Sequence, residues 1–188
     1  MFDNFREDVD RCAYMEEGPW WWCLLTRQGL WALTEYRFSR WVGKNVRFPG
    51  LRQALKLYCF VWHKWIEILT GIDIHHSCEI GKGLYIGHFG GIFLASGVRM
   101  GDYCNLSQDV SIGWAGRGEK RGCPALGDRV YVAPGAKIIG KITVGNDVAI
   151  GANAVVTKDL PDNAVAVGVP AKVISHEGSA DFILYRKR

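Results

Sequence analysis

The sequence predicts a mainly β chain, a solenoid of short strands, with an α-helical N-terminal part in front of it. Three observations predict this. Leu126, Val132, Ile138, Val144, Ile150 and Val156 recur every six residues. Helical faces repeat at about 3.6 and strands at about 2, so a sustained period of six marks a repeat architecture in which each unit supplies one inward side chain. Ile74, Ile80 and Ile86, then Leu94, Met100, Leu106 and Ile112, keep the same step with one break. Residues 1–72 show no repeat and hold seven of the eight tryptophans. The expected organisation is a helical domain over 1–72, the solenoid over 73–174 and a solvated tail over 175–188.

In the helical part, Gly18-Pro19 and Pro49-Gly50 punctuate three candidate segments. The clearest runs from Leu51 to Leu69, where Leu51, Ala54, Leu55, Tyr58, Val61, Trp62, Trp65 and Leu69 fall at spacings of three and four and form an apolar stripe. No apolar run reaches the roughly eighteen residues of a spanning helix. Trp20, Trp21 and Trp22 cannot all face one core from one helix, which favours an interface. Between residues 27 and 64 the only acid is Glu35, against Arg27, Arg37, Arg40, Lys44, Arg47, Arg52, Lys56 and Lys64. Two readings stand: a core of large rings capped by charges, or a face in peripheral contact with an anionic membrane. Nucleic acid would use the same residue types, but no recognition motif accompanies them, so that partner is set aside.

From Asp73 onward glycine becomes frequent and β-branched residues alternate with small ones. The step from Ile86 to Leu94 is eight, so about two residues are inserted near Phe89-Gly90-Gly91, directly after His88. The step from Ile112 to Leu126 is fourteen, and Trp114 to Pro124 reads as a loop thrown out of the solenoid. Gly81, Gly87, Gly101, Gly113, Gly127, Gly145 and Gly151 each follow an inward aliphatic residue, as expected of corners with backbone conformations other residues avoid. Three faces close one triangular coil, coils stack, and the ends need caps. Lys158 to Asn163 is expected to end the period, with Val167 to Ile174 packing back.

A chain of 188 residues with 48% apolar content can bury a real core, and its net charge of +4 is modest. Six cysteines without a C-x-x-C pair, and an acidic N-terminus without a secretory pattern, imply reduced thiols and a cytoplasmic address. No metal is expected: His75 and His76 are adjacent, and neighbours on a strand point to opposite faces.

Residues 73–174 resemble the hexapeptide-repeat acyltransferases, specifically the serine O-acetyltransferase branch. The resemblance rests on Asp73-Ile-His75, on Gly87-His88-Phe-Gly-Gly91 and on the closing Gly168-Val-Pro-Ala-Lys172. Leu24 to Leu33, with Tyr36-Arg37 and Trp41, is similar to that branch's helical N-terminal domain in a shorter version. The resemblance implies a left-handed parallel β-helix, a hand that parallel crossovers otherwise almost never take. It also implies a homotrimer, with a dimer of trimers through residues 1–72 left open, and acetyl-CoA as donor in a groove between subunits.

Acetyl transfer from a thioester to a hydroxyl needs a base, a partner that orients it, and donors for the oxyanion. By resemblance His88 is the base and Asp73, fifteen residues earlier, its partner. Gly113, Trp114, Ala133, Pro134, Gly151 and Ala152 are the positions expected along the pantetheine arm, with Lys158 and Lys172 at the phosphates as point charges. The acceptor is where the chain departs from the branch. Its amino-acid-holding Arg-His pair is Gly122-Cys123 here, the aspartate before the catalytic histidine is Gly87, and a third acid has no secure counterpart in Glu16 or Glu17. The leading expectation is therefore a carbohydrate hydroxyl, as in the short forms of surface-polysaccharide assembly. Serine is the alternative, with Arg121 compensating for the lost pair, and a non-catalytic membrane-docked scaffold is the third reading.

Overall fold

A computed structural model describes residues 2–185. Four helices rather than three precede the solenoid: α1 (Phe2–Met15), α2 (Trp20–Thr26), α3 (Gln28–Asn45) and α4 (Pro49–Thr70). The extra boundary falls at Arg27, whose extended backbone (φ −100°, ψ 105°) separates α2 from α3 without a glycine or proline to announce it. Pro49 opens α4 at a position where no intrahelical N–H is lost. Gly71 closes it in the left-handed region (φ 63°), its N–H on the Glu67 carbonyl at 2.9 Å.

The solenoid begins at Ile72, one residue before the expected boundary, because the chain enters β1 (Ile72–Ile74) straight from Gly71. β2 (Glu79–Ile80), β3 (Tyr85–Ile86) and β4 (Ile92–Leu94) complete the first coil and open the second. β1 and β4 start a five-stranded sheet, β2 a four-stranded one and β3 a six-stranded one. All pairings between successive coils are parallel. Asp73 lies opposite Phe93, a shift of 20, and Phe93 opposite Ser111, a shift of 18, so the two-residue insertion falls where the broken period put it. Every inward residue of both six-residue series is buried.

Gly81, Gly101, Gly127 and Gly145 answer to a different cause from the one expected. Gly101 is not in the left-handed region; a Cβ there would stand 2.1 Å from Asp128 Oδ1 and 2.7 Å from the Gly127 carbonyl carbon. The next coil's Asx side chain occupies that space. Asp102 Oδ1 accepts from Lys82 N at 2.9 Å, Asp128 Oδ1 from Asp102 N at 2.8 Å, and Asn146 Oδ1 from Asp128 N at 2.9 Å. The left-handed corners are held by Tyr103, Asp109, Arg129, Asp147, Asn153 and Asn163, and by glycines outside that series such as Gly83, Gly97 and Gly135.

Lys158 to Asn163 shortens the period rather than ending it. Val144 bridges Leu160 and Ile150 pairs with Ala166, both shifts of 16, so one further coil forms before Lys172–Ser175 folds back antiparallel on Val165–Val167. Nor is the segment after Ser175 a solvated tail. Ser179 is buried with its hydroxyl on the Arg129 carbonyl at 2.5 Å, Phe182 stacks on Tyr131 and Tyr185 on Tyr103. The expected tail residues 186–188 lie outside the described part.

One continuous core joins helices and coils, with Leu30, Leu33, Tyr36 and Ile66 packed with the solenoid aliphatics, so the helices cover the N-terminal end of the stack. Gly29 permits this approach, since a Cβ there would lie 2.7 Å from both Ile86 Cβ and Ile86 O. Buried polar contacts fix the orientation. Arg37 binds Asp8 at 2.9 and 3.2 Å and donates to the Ile80 carbonyl at 2.7 Å, while the Tyr36 hydroxyl donates to the Cys78 carbonyl at 2.7 Å. The stripe on α4 exists, but little of it faces this core. Cys59, Ile66 and Thr70 are buried, whereas Leu51, Tyr58, Val61, Trp65 and Leu69 are exposed, as are Trp20, Trp21 and Trp22.

Candidate active site

The five-stranded sheet is bordered by two corner edges, and the expected site residues sort onto them. One edge carries the turns that leave the six-stranded sheet. There Gly87-His88 follows β3, and Ala133-Pro134 and Gly151-Ala152 follow the strands Tyr131–Val132 and Ala149–Ile150. Backbone bonds tie these turns into a column: Ala133 N donates to Ile150 O at 2.9 Å, Asn153 N to Pro134 O at 2.9 Å and Gly151 N to Ala166 O at 2.9 Å. His88 is exposed at its lower end. Gln108 belongs to the same column and was not anticipated from the sequence; its Oε1 is buried without a hydrogen-bond partner among the described residues.

Gly113, Trp114 and Lys158 lie on the other edge, where the chain leaves the five-stranded sheet. Lys172 is on neither, standing on the antiparallel strand opposite Val167. The projecting loop closes on itself through the Ala115–Gly122 bridge. The Trp114 indole donates to Ser96 O at 2.7 Å, Cys123 Sγ lies 3.1 Å from the same oxygen, and the Arg121 guanidinium stacks 5.6 Å above the Trp114 ring. Burial raises the pKa of the Cys123 thiol above its ordinary value, which disfavours a thiolate there.

Asp73 is on β1, beside the strand that the His88 turn leads into, but no hydrogen bond joins the two among the described residues. Its carboxylate is held from α4. His63 Nε2 stands 3.2 Å from Asp73 Oδ1, and Nδ1 of the same ring 3.0 Å from Glu35 Oε2 on α3. The Ser39 hydroxyl donates to the other Glu35 oxygen at 2.5 Å. Hydrogen bonds to Asp73 and then to Glu35 outweigh partial burial and raise the His63 pKa to about 10, so the ring is a cation at neutral pH. The same contact holds Asp73 below the usual carboxylate range. Neither Glu35 nor His63 was expected at the site from the sequence. The available signal was Glu35 itself, the lone acid of the basic stretch, spaced with Ala32, Leu33 and Tyr36 on the buried face of α3.

These groups line a cleft of about 840 Å³ between α3, α4 and the first coil, which also holds Arg40, Lys44, Lys56 and Lys64. His75 and His76 line it too. β1 ends at Ile74, so they occupy a corner, and their rings stack at 4.4 Å instead of pointing to opposite faces. No group of three or more metal-ligating side chains occurs among the described residues. Glu16 is engaged elsewhere, by the Tyr85 hydroxyl at 2.7 Å and by Arg27.

Stacked hexapeptide coils, with a histidine turn and small-residue turns in one column, define a hexapeptide-repeat acyltransferase. Residues 124–158 match the family described as bacterial transferase hexapeptide (six repeats). The chain is 39% identical over 157 residues to the serine acetyltransferase of Helicobacter pylori strain J99, covering 84% of this chain and 87% of that one. Among solved structures it is similar to the serine acetyltransferase of Brucella abortus strain S19 in complex with coenzyme A, with a TM-score of 0.81, 25% identity, and coverage of 94% of this chain and 68% of that one. It is also similar to a serine acetyltransferase in complex with cysteine, with a TM-score of 0.77, 29% identity, and coverage of 92% and 65%. The chain belongs to the serine acetyltransferase family, and its chemistry is acetyl transfer.

Proposed function

We propose that this chain transfers acetyl from acetyl-CoA to the hydroxyl of a small acceptor, in a groove between subunits of a trimer, with His88 as general base. The single observation that carries this reading is the column of turns: His88 shares one edge with Ala133-Pro134 and Gly151-Ala152, which supports a donor lying along the edge with its thioester at the histidine. Gly113, Trp114 and Lys158 are on the opposite border of the same sheet. One groove that uses both borders therefore draws one from each of two neighbouring subunits. His88 takes the acceptor proton as the acceptor oxygen attacks the thioester carbonyl, and backbone N–H groups hold the oxyanion. Collapse expels the CoA thiolate, which His88 reprotonates. Asp73, with Oδ1 taken by His63, has Oδ2 left to orient His88. Lys172, on the antiparallel strand, is assigned to the CoA phosphates.

For the acceptor, the family supports serine better than the carbohydrate read from the sequence. The relatives carry that name, and one solved relative holds cysteine, in which a thiol replaces the serine hydroxyl. A second reading rests on this chain's own substitutions. Gly87, Gly122 and Cys123 stand where the branch carries charged or basic side chains, and Arg121 is stacked on Trp114. The loss of charge at those three positions favours an acceptor without paired charges, such as a sugar hydroxyl of a surface-polysaccharide precursor, made where acetyl-CoA is made, in the cytoplasm. An acceptor screen with acetyl-CoA, comparing serine with free and nucleotide-linked sugars by thiol release, separates the two. His88→Ala is expected to lower transfer by about 10²–10⁴-fold with the assembly intact, and full activity in it removes the mechanism.

A further inference from the structure

The outer face of α4 is not explained by acetyl transfer. Leu57, Tyr58, Val61, Trp65, Ile68 and Leu69 point the same way along it, each between 47% and 75% exposed. At about 1.5 Å per residue they make an apolar strip roughly 18 Å long. Scattered exposed apolar side chains are ordinary, but a continuous helical face of this kind marks an interaction surface.

We propose that this face docks the enzyme on the surface of an anionic lipid bilayer, with α4 lying in the plane of the interface. Two observations select a lipid surface over a second copy of the chain. First, cations border the strip. Arg52, Lys56 and Lys64 flank it on the side of the cleft, and Lys44 and Arg47 precede the helix. Glu67 is the only acid in Pro49–Thr70, and Lys64 Nζ is bound to it at 2.5 Å. Two copies meeting antiparallel through this face would set these cations against each other, whereas anionic headgroups neutralise them. Second, the face combines long aliphatics with tyrosine and tryptophan, whose rings suit the boundary between headgroup and acyl chain. No described helix is long and apolar enough to cross a membrane, so α4 lies on the bilayer. Its inner face meanwhile holds His63 against Asp73. The proposal stands whichever acceptor is used.

Sedimentation of the full chain with vesicles tests it, using phosphatidylglycerol mixed into phosphatidylcholine against phosphatidylcholine alone. The protein is expected to pellet with the anionic vesicles, and less as salt rises. Trp65→Ser/Ile68→Ser is expected to lower partitioning by about tenfold or more, leaving thiol release from acetyl-CoA and the assembled mass unchanged. Arg52→Gln/Lys56→Gln, which keeps the apolar strip, is expected to lower binding to anionic vesicles alone. Absence of binding to anionic vesicles, or equal binding by Trp65→Ser/Ile68→Ser, overturns the proposal. So does a fall in assembled mass in that variant, which gives the face to a second copy.

Discussion

His63 Nε2 lies 3.2 Å from Asp73 Oδ1, and this contact joins the helical part to the strand expected to carry half of the catalytic pair. The ring also faces Glu35 at 3.0 Å, so one imidazolium bridges two carboxylates from two elements. Asp73 is held by a cation that also reinforces its ionised form, the state in which it can orient His88.

Replacing His63 by Phe frees Asp73 to turn and raises its pKa. By analogy with other outer-shell supports, kcat is expected to fall about 10–100-fold. KM for acetyl-CoA should stay unchanged, since the ring is not on the edge expected to hold the donor. Steady-state kinetics check this, and an unchanged kcat would detach His63 from the mechanism.

The same bridge sets a pH signature. The folded His63 pKa of about 10 lies above its unfolded value, so its stabilising contribution is complete at low pH and is lost as pH rises through about 10. Asp73 is lowered, so its contribution is present above the ordinary carboxylate value and is lost as pH falls through the lowered one. In urea unfolding, the stability gap between the native chain and His63→Asn should be widest near pH 6, shrink as pH rises and close above about pH 10.

Gly101→Ala introduces a Cβ 2.7 Å from the Gly127 carbonyl carbon, a backbone atom that cannot move without shifting the next coil. The expected cost is about 1–3 kcal/mol, read as a lower urea midpoint with an unchanged slope.

Arg37→Met leaves Asp8 fully buried without its cation, and the Ile80 carbonyl loses its donor. A loss of about 3–5 kcal/mol is expected. It should be smaller in Asp8→Asn/Arg37→Met, which removes both charges, and denaturant unfolding of the two variants checks this.

Much of the solenoid was legible because its cause is local. An inward aliphatic every six residues is a demand each coil makes on its own stretch of chain, so Leu126 to Val156 could be read without knowing what they touch. The breaks after His88 and at Trp114 were legible for the same reason. The repeated glycines were visible too, but their reason was not. The atom that excludes a side chain at Gly101 belongs to Asp128, one coil away, and strain and crowding leave the same letter in the sequence.

The sequence by itself determined the repeat, the positions of its interruptions and the motif residues Asp73 and His88. Tertiary structure alone decided what Asp73 touches. Glu35, His63 and Asp73 meet because α3 and α4 pack side by side and Gly71 turns the chain straight into β1, and no spacing rule links residues on three elements. It alone decided which way α4 faces: a period of three and four says that a helix has an apolar side, but only packing says whether that side meets the core. Here the core takes Cys59, Ile66 and Thr70, and Trp65 and its neighbours are left for another surface.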